Sequence, residues 1–270
     1  MLEKKIGCTG WGYKEWTGTF YPKTIKQKDW LKHYSSIFDV TEVNSSFYQV
    51  IPKSMAAKWN EDTPDHFEFS LKFPGKITHE NKLDYDSSKD TLTAFFSGLE
   101  PLKKKIRILV MQLPPSLTFL QAKERLESLG KHLPHYCRYA IEGRHESWFS
   151  KESLEFLSKN DLCLVWNEVP MVDNPAPITT DFVYARLIGD RNLPEDVYDH
   201  KVRDKTDTLQ KWADRLSNLE NNEKVKFFWA FSNNHLEGFA PESANTLRML
   251  LGLDKLEFHD KKQSSMFDFE

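Results

Sequence analysis

The sequence predicts an α/β protein built as one (β/α)8 TIM-type barrel, and three observations carry that expectation. Strand-like and helix-like segments alternate along the chain, which argues for a parallel sheet with helices packed outside it. Eight strand signals fit into 270 residues, close to the roughly 250 residues of a typical barrel of this kind. Several strands begin apolar and finish in charged residues, as in Tyr139-Ala140-Ile141 running into Glu142, Arg144, His145 and Glu146. A fold that keeps its chemistry at one end of a buried sheet would produce that pattern.

The elements follow in order. Residues 5–11, KIGCTGW, form the first strand signal, and 27–38 sets Trp30, Leu31, Tyr34, Ile37 and Phe38 on one helical face. Residues 39–48 read as the second strand and 54–62 as a short helix. Residues 66–73, HFEFSLKF, alternate cleanly as the third strand, followed by apolar residues at helical spacing over 91–102. The fourth strand, 107–115, is buried and stopped by prolines, and 121–133 is a polar, exposed helix. The fifth strand is 138–145, followed by a helix over 150–160 and the sixth strand over 162–168. Between 169 and 180 there are three prolines and no helical period, so the helix between strands six and seven is expected to be missing. Strand seven is 181–190 and strand eight 225–234, with helices over 207–219 and 242–252. The charged stretch 189–205 is long enough to lie over the end of strand seven. The tail carries Phe267 and Phe269, which could dock it. One domain over 1–270 is expected.

Composition bounds the function. The net charge is 37 − 40 = −3, so no global basic field drives non-specific nucleic-acid binding, although a local basic groove would escape that test. Three cysteines without CxxC spacing argue for reduced thiols, and hence a cytoplasmic location. No segment has the length or apolarity of a membrane span, and no signal-peptide pattern follows Met1. The GCTGWG stretch lacks the helix start of a dinucleotide-binding loop.

Side chains alternate along a strand, so each strand sorts its residues into helix-facing and barrel-facing sets. Phe67, Phe69, Leu71 and Phe73 must cover the helix layer, which turns Glu68, Ser70 and Lys72 inward. The same reading places Glu42 and Asn44 inside on strand two, Gln112 on strand four, Glu142 and Arg144 on strand five, and Arg186 on strand seven. Asn233 or Asn234 ends strand eight. Most of these residues lie late in their strands, at the mouth where barrel enzymes place their active sites.

The motifs GCTGW, EVNSSFY, SLKF followed by ITH, LPPS, EGRHESW, ARLIGD and FSNNHLEGFAP resemble the YecE-like family, domain-of-unknown-function family 72, in order and over nearly the whole chain. The resemblance implies a TIM-type barrel in a bacterial cytoplasmic protein and supplies no reaction. Two departures stand out. Ile188 stands where the family often has His before the strand-seven glycine, and Cys8 replaces a small hydroxyl residue of the first motif.

The mouth would hold Lys72, Arg144 and Arg186 against Glu42 and Glu142, a formal sum of +1. That favours an anionic ligand, and the two arginines suit bidentate capture of phosphate or carboxylate. Gly189 and Gly238 would let backbone approach a phosphate, or would serve ordinary turns. The leading expectation is a hydrolase acting on a phosphorylated small molecule or nucleic-acid fragment. Glu42 or Glu142 would be the base and His79 or His145 the acid, with His235 a further candidate. Asn44, Lys72, Gln112, Arg144, Arg186, Asn233, Asn234, Trp11 and Tyr48 would bind substrate. The other aromatics near strand ends, Tyr13, Trp16, Phe47 and Trp148, could stack on a ligand or pack the loops. Glycoside chemistry by the two carboxylates is a second enzymatic option, and a non-catalytic module for an anionic metabolite or nucleic acid is the alternative from another class. No cofactor is expected. A divalent metal would need His79, His145, Glu42 and Glu142 to converge, against the repulsion of two arginines. Cys8 lacks a partner base by spacing.

Overall fold

A computed structural model describes residues 2–168, 174–189, 193–194 and 197–258. The expectations for 169–173, for the parts of the charged loop at 190–192 and 195–196, and for docking by Phe267 and Phe269 fall outside the described residues.

Nine strands lie in one parallel sheet: β1 (Glu3–Thr9), β2 (Val40–Val43), β3 (Glu68–Lys72), β4 (Ile106–Gln112), β5 (Arg138–Glu142), β6 (Leu162–Leu164), β7 (Trp166–Asn167), β8 (Phe182–Leu187) and β9 (Phe227–Ser232). Their order is β6-β5-β4-β3-β2-β1-β9-β8-β7. β6 and β7 are the two halves of the predicted sixth strand, parted at Val165. The first half pairs with β5 and the second with β8, so eight strand positions form a nearly closed barrel.

Around it run α1 (Trp30–Ser35), α2 (Ser45–Tyr48), α3 (Lys53–Asp62), α4 (Tyr85–Leu99), α5 (Phe119–Gly130), α6 (Lys151–Lys159), α7 (Thr206–Ser217), α8 (Asn234–Glu237) and α9 (Ala240–Leu250). Several starts are written in local chemistry. Asp84 accepts from the Ser87 amide at the start of α4, and Thr118 and Gln121 form a reciprocal capping box on α5. Among the described residues no helix lies between Asn167 and Phe182. In its place Thr179 accepts from the Leu164 amide and donates to the Leu162 carbonyl, fastening that segment to β6. No helix among the described residues is long and apolar enough to cross a membrane.

Two apolar layers result. Ile108, Val110, Ala140, Phe182, Trp229 and Phe231 fill the barrel interior. Phe67, Phe69, Leu71 and Phe73 lie outside it, packed with the helix layer as the alternation predicts. The strands stop earlier than expected at the mouth. β2 ends at Val43 because Asn44 already turns helical into α2. β4 ends at Gln112, two residues before Pro114. β5 ends at Glu142, and the next residue is a glycine where a Cβ would lie 2.5 Å from the Trp148 ring. Asn44, Arg144 and Asn233 therefore sit just beyond the strands, and Asn234 opens α8.

Candidate functional site

The mouth is organised by Arg186. Its Nε and Nη2 donate to Glu42 Oε2 and Oε1 at 2.7 and 2.8 Å, a bidentate grip, while Nη1 donates to Glu142 Oε2. Glu142 Oε1 accepts from Nε and Nη2 of Arg144 at 3.0 and 2.9 Å. Gln112 Nε2 lies 3.0 Å from both Glu142 oxygens. Tyr184 donates to Glu42 Oε2 at 2.7 Å, and its hydroxyl also meets Ser70 Oγ at 2.7 Å across the barrel. Glu42, Glu142 and Arg186 are all essentially inaccessible to water.

The electrostatics revise the expectation for the two carboxylates. Burial by itself would raise their pKa values. The Arg186 charge, with Lys72 and the surrounding donors, instead holds Glu42 below the usual carboxylate value, and Arg186, Arg144 and Lys72 hold Glu142 far below it. A carboxylate this acidic, with its lone pairs taken by guanidinium and amide donors, is a poor proton acceptor. In this structure Glu42 is held by Arg186, and Glu142 by Arg186 and Arg144. The two carboxylates grip one guanidinium between them.

Lys72 is the opposite case. It follows Ser70 by two residues, so its side chain enters the barrel on the same face, one layer nearer the mouth. It is 5% exposed, and its Nζ makes no hydrogen bond or ion pair among the described residues. Burial, then the positive charge of Arg186, outweigh the attraction of Glu42 and Glu142 and push its pKa down to about 7. An amine at this site exchanges its proton near neutral pH.

The other candidates divide. His79 stands half-buried after β3, with Nδ1 3.0 Å from Thr78 Oγ1 and its ring edge-on to Phe47. Burial, then Arg144 and Lys72, lower its pKa, so it shares the electrostatic field of the mouth. It also borders a surface cleft of ≈ 740 Å³ lined by Phe47, Tyr48, Pro74, Gly75 and Thr91. Tyr48, 84% exposed, is the free aromatic there. His145 is turned to its own backbone: Nδ1 accepts from the Ser147 amide at 3.2 Å and caps the turn at 146–149. His235 meets the Tyr198 hydroxyl.

Several expected ligand contacts are taken up by packing. Asn234 Oδ1 accepts from Trp16 Nε1 and the Ala240 amide, and Asn233 caps α8. Trp11 packs edge-on against Trp59 and Phe69, behind the strands. Trp16 and Trp148 are buried. Gly189, at φ +76°, sits where a Cβ would lie 2.5 Å from the His235 carbonyl oxygen. That glycine joins two loops of this chain, so its close approach is internal. Within the charged loop, the amides of Val202, Arg203 and Lys205 all bond Glu237, which ties the described part of that loop to α8. Ile188 is buried. Burial drives the Cys8 thiol pKa strongly up, which keeps it unreactive.

Tyr184 and Asn167, at the mouth, escaped the sequence reading. Tyr184 and Ser70 link β8 to β3 beneath Arg186. Asn167, at the end of β7, is buried with its Nδ2 unbonded, and the Oδ1 of Asn44, at the end of β2, is likewise buried and unbonded. Tyr184 could have been found, because it lies two residues before Arg186 on the same strand face. Among the described residues no group of three or more His, Cys, Asp or Glu is arranged to hold a metal.

The parallel barrel with an ionic cluster at the C-terminal ends of its strands defines a TIM-type α/β barrel protein. The chain belongs to the family described as "Protein of unknown function DUF72", whose model matches residues 5–266. UPF0759 protein YunF of Bacillus subtilis is 27% identical over 276 residues, covering 92% of this chain and 95% of that protein. UPF0759 protein YecE of Escherichia coli K12 is 27% identical over 146 residues, 54% of this chain and 50% of that protein. A DUF72 family protein from Thermotoga maritima superposes with a TM-score of 0.76 at 25% identity, covering 93% of this chain and 99% of that one. One from Enterococcus faecalis gives 0.76 at 21% identity, covering 96% and 98%.

Proposed function

We propose that the mouth of the barrel binds a small anionic molecule, phosphorylated or carboxylated, and acts on it as an enzyme. The observation that carries this reading is Lys72, a buried cation site without a hydrogen-bond or ion-pair partner among the described residues, set among arginines already held in place by carboxylates. With Lys72 protonated the cluster has three positive and two negative groups, and an anion would balance it. The unbonded Asn44 Oδ1 and Asn167 Nδ2 support the same reading. A buried polar atom left unpaired costs about 1–3 kcal/mol, and a ligand with a donor and an acceptor would satisfy both. Proton transfer falls to Lys72, with His79 next to it in the field, and a hydrolytic reaction would draw its base from these two.

Thermal stability measured with inorganic phosphate, sugar phosphates, nucleotides, short oligonucleotides and neutral sugars tests it. An anionic class should stabilise the protein by about 2.7 kcal/mol at a hundredfold excess over Kd. The shift should shrink in Arg144→Ala and Lys72→Met. Stabilisation by neutral sugars alone, or by nothing in the panel, would overturn the anion reading. Binding retained without turnover in the wild type on every bound compound would leave a binding module in place of an enzyme.

A further inference from the structure

We propose that Lys72 is a Schiff-base-forming amine, and that the substrate of the mouth is a small carbonyl compound bearing a phosphate or carboxylate. This rests on the anion-binding reading above and names the chemistry within it.

The protein contains its own control. Lys105 is also 5% exposed, but its Nζ donates to the Asn60 carbonyl at 2.7 Å, the Thr63 carbonyl at 2.7 Å and Thr63 Oγ1 at 3.1 Å. Those three acceptors define a buried structural ammonium: every proton is placed. Lys72 is equally buried and has none of them. The nearby acceptors are spoken for, since Glu42 is held by Arg186 and Tyr184, and Glu142 by Arg186, Arg144 and Gln112. Nothing fixes the Lys72 proton, and two guanidiniums oppose it.

A nucleophilic lysine requires those conditions: an amine shielded from bulk water, beside other cations, with its lone pair free near neutral pH. Its place at the end of β3 also aims it into the mouth. Arg144, at the rim, is positioned to receive the anionic substituent of the substrate. The step balances without a redox partner. The Nζ lone pair forms a C–N bond to the carbonyl carbon while one amine proton passes to the carbonyl oxygen. The resulting carbinolamine then loses its C–O bond, and water leaves carrying both protons of the neutral amine, giving the imine. Water reverses the step and restores Lys72.

The test uses the full chain with glyoxylate, pyruvate and dihydroxyacetone phosphate as probes, each followed by borohydride, which reduces an imine to a stable secondary amine. Peptide mass mapping then locates the adduct. At least one probe should modify Lys72 at least tenfold above the exposed Lys14, and Lys72→Met should lose that adduct while keeping its melting temperature or raising it. No adduct at Lys72 with any of the three, or a yield no greater than at Lys14, overturns the inference. Phosphate stabilisation, measured in parallel, separates the two claims. A phosphate shift without an adduct removes the Schiff base and leaves the anion site standing. An adduct without a phosphate shift keeps the amine chemistry and removes the anion requirement. Absence of both removes both.

Discussion

The two ends of the barrel handle charge in opposite ways. At the N-terminal end Lys5 meets Glu68 at 2.6 Å, and Arg138 meets Asp161 and Asp181 at 3.0 Å each. All of these groups keep contact with water. Beneath them the stacked rings of Phe182 and Phe227 close the cylinder, with the guanidiniums of Arg138 and Arg107 over their faces. At the C-terminal end Glu42, Arg186 and Glu142 are sealed from solvent, and Lys72 joins them with no ion pair among the described residues. A solvated pair contributes about 0–1 kcal/mol and can be replaced cheaply. A buried ionic cluster gains little net stability over apolar packing, so its presence at one end only points to use rather than support.

Breaking the top end should have the largest effect. Arg186→Met strands two carboxylates in the interior and should cost about 3–5 kcal/mol near neutral pH, measured by denaturant unfolding. The sign of the pH dependence should also invert. In the wild type the lowered pKa values of Glu42 and Glu142 give stability that is present above the ordinary value of 4.5 and lost as pH falls through the folded values. In Arg186→Met the carboxylates lose the charge that opposes their burial, so stability should fall as pH rises.

Lys72→Met comes next and acts the other way. With its folded pKa lowered to about 7 against 10.5, the unfolded chain binds the extra proton between those values. Wild-type stability should therefore gain up to about 1.4 kcal/mol from this group for each pH unit from about 7 to 10.5. The variant should lack that slope and be more stable at pH 7. A variant with an unchanged slope would mean Lys72 has a counter-ion in solution. Tyr184→Phe removes one hydrogen bond to a buried carboxylate and should cost about 1.5–3 kcal/mol. Lys5→Met, at the other end, should move stability by no more than about 1 kcal/mol. A Lys5 effect as large as that of Tyr184 would erase the contrast between the two ends.

How much of this was legible follows the physics of each signal. The alternation in Phe67–Phe73 fixed the facing of β3, so the inward turn of Ser70 and Lys72 could be read directly. Glu42, Gln112, Glu142 and Arg186 followed from the same period of two. What periodicity does not carry is the stagger between strands. That stagger decides that Arg186 bridges Glu42 and Glu142 while Lys72 Nζ has no hydrogen bond among the described residues. Tyr184 reads as one more apolar residue of a core strand, and its hydroxyl finds Glu42 only across the barrel, 142 residues away. The histidines carry a weaker signal for a related reason. A His after a strand end is as well suited to capping a turn, as His145 does, as to facing a ligand.

The divided sixth strand leaves a seam in the wall of the cylinder. Strands such as β4 are laced to both neighbours along a common stretch, so a rung there cannot open without disturbing the ones above and below. At Val165 the lacing changes sides: Leu162–Leu164 belong to one neighbour and Trp166–Asn167 to the other. Amide protons of Trp166 and Asn167 should exchange with solvent sooner than those of β4 or β9, because few rungs must yield to release them. Asn167 stands at the upper end of that seam with its Nδ2 unbonded and its Oδ1 accepting from Asn174. The bonded network around Arg186 thus adjoins a lightly laced part of the wall, the side on which a visitor of unfamiliar size should find its room.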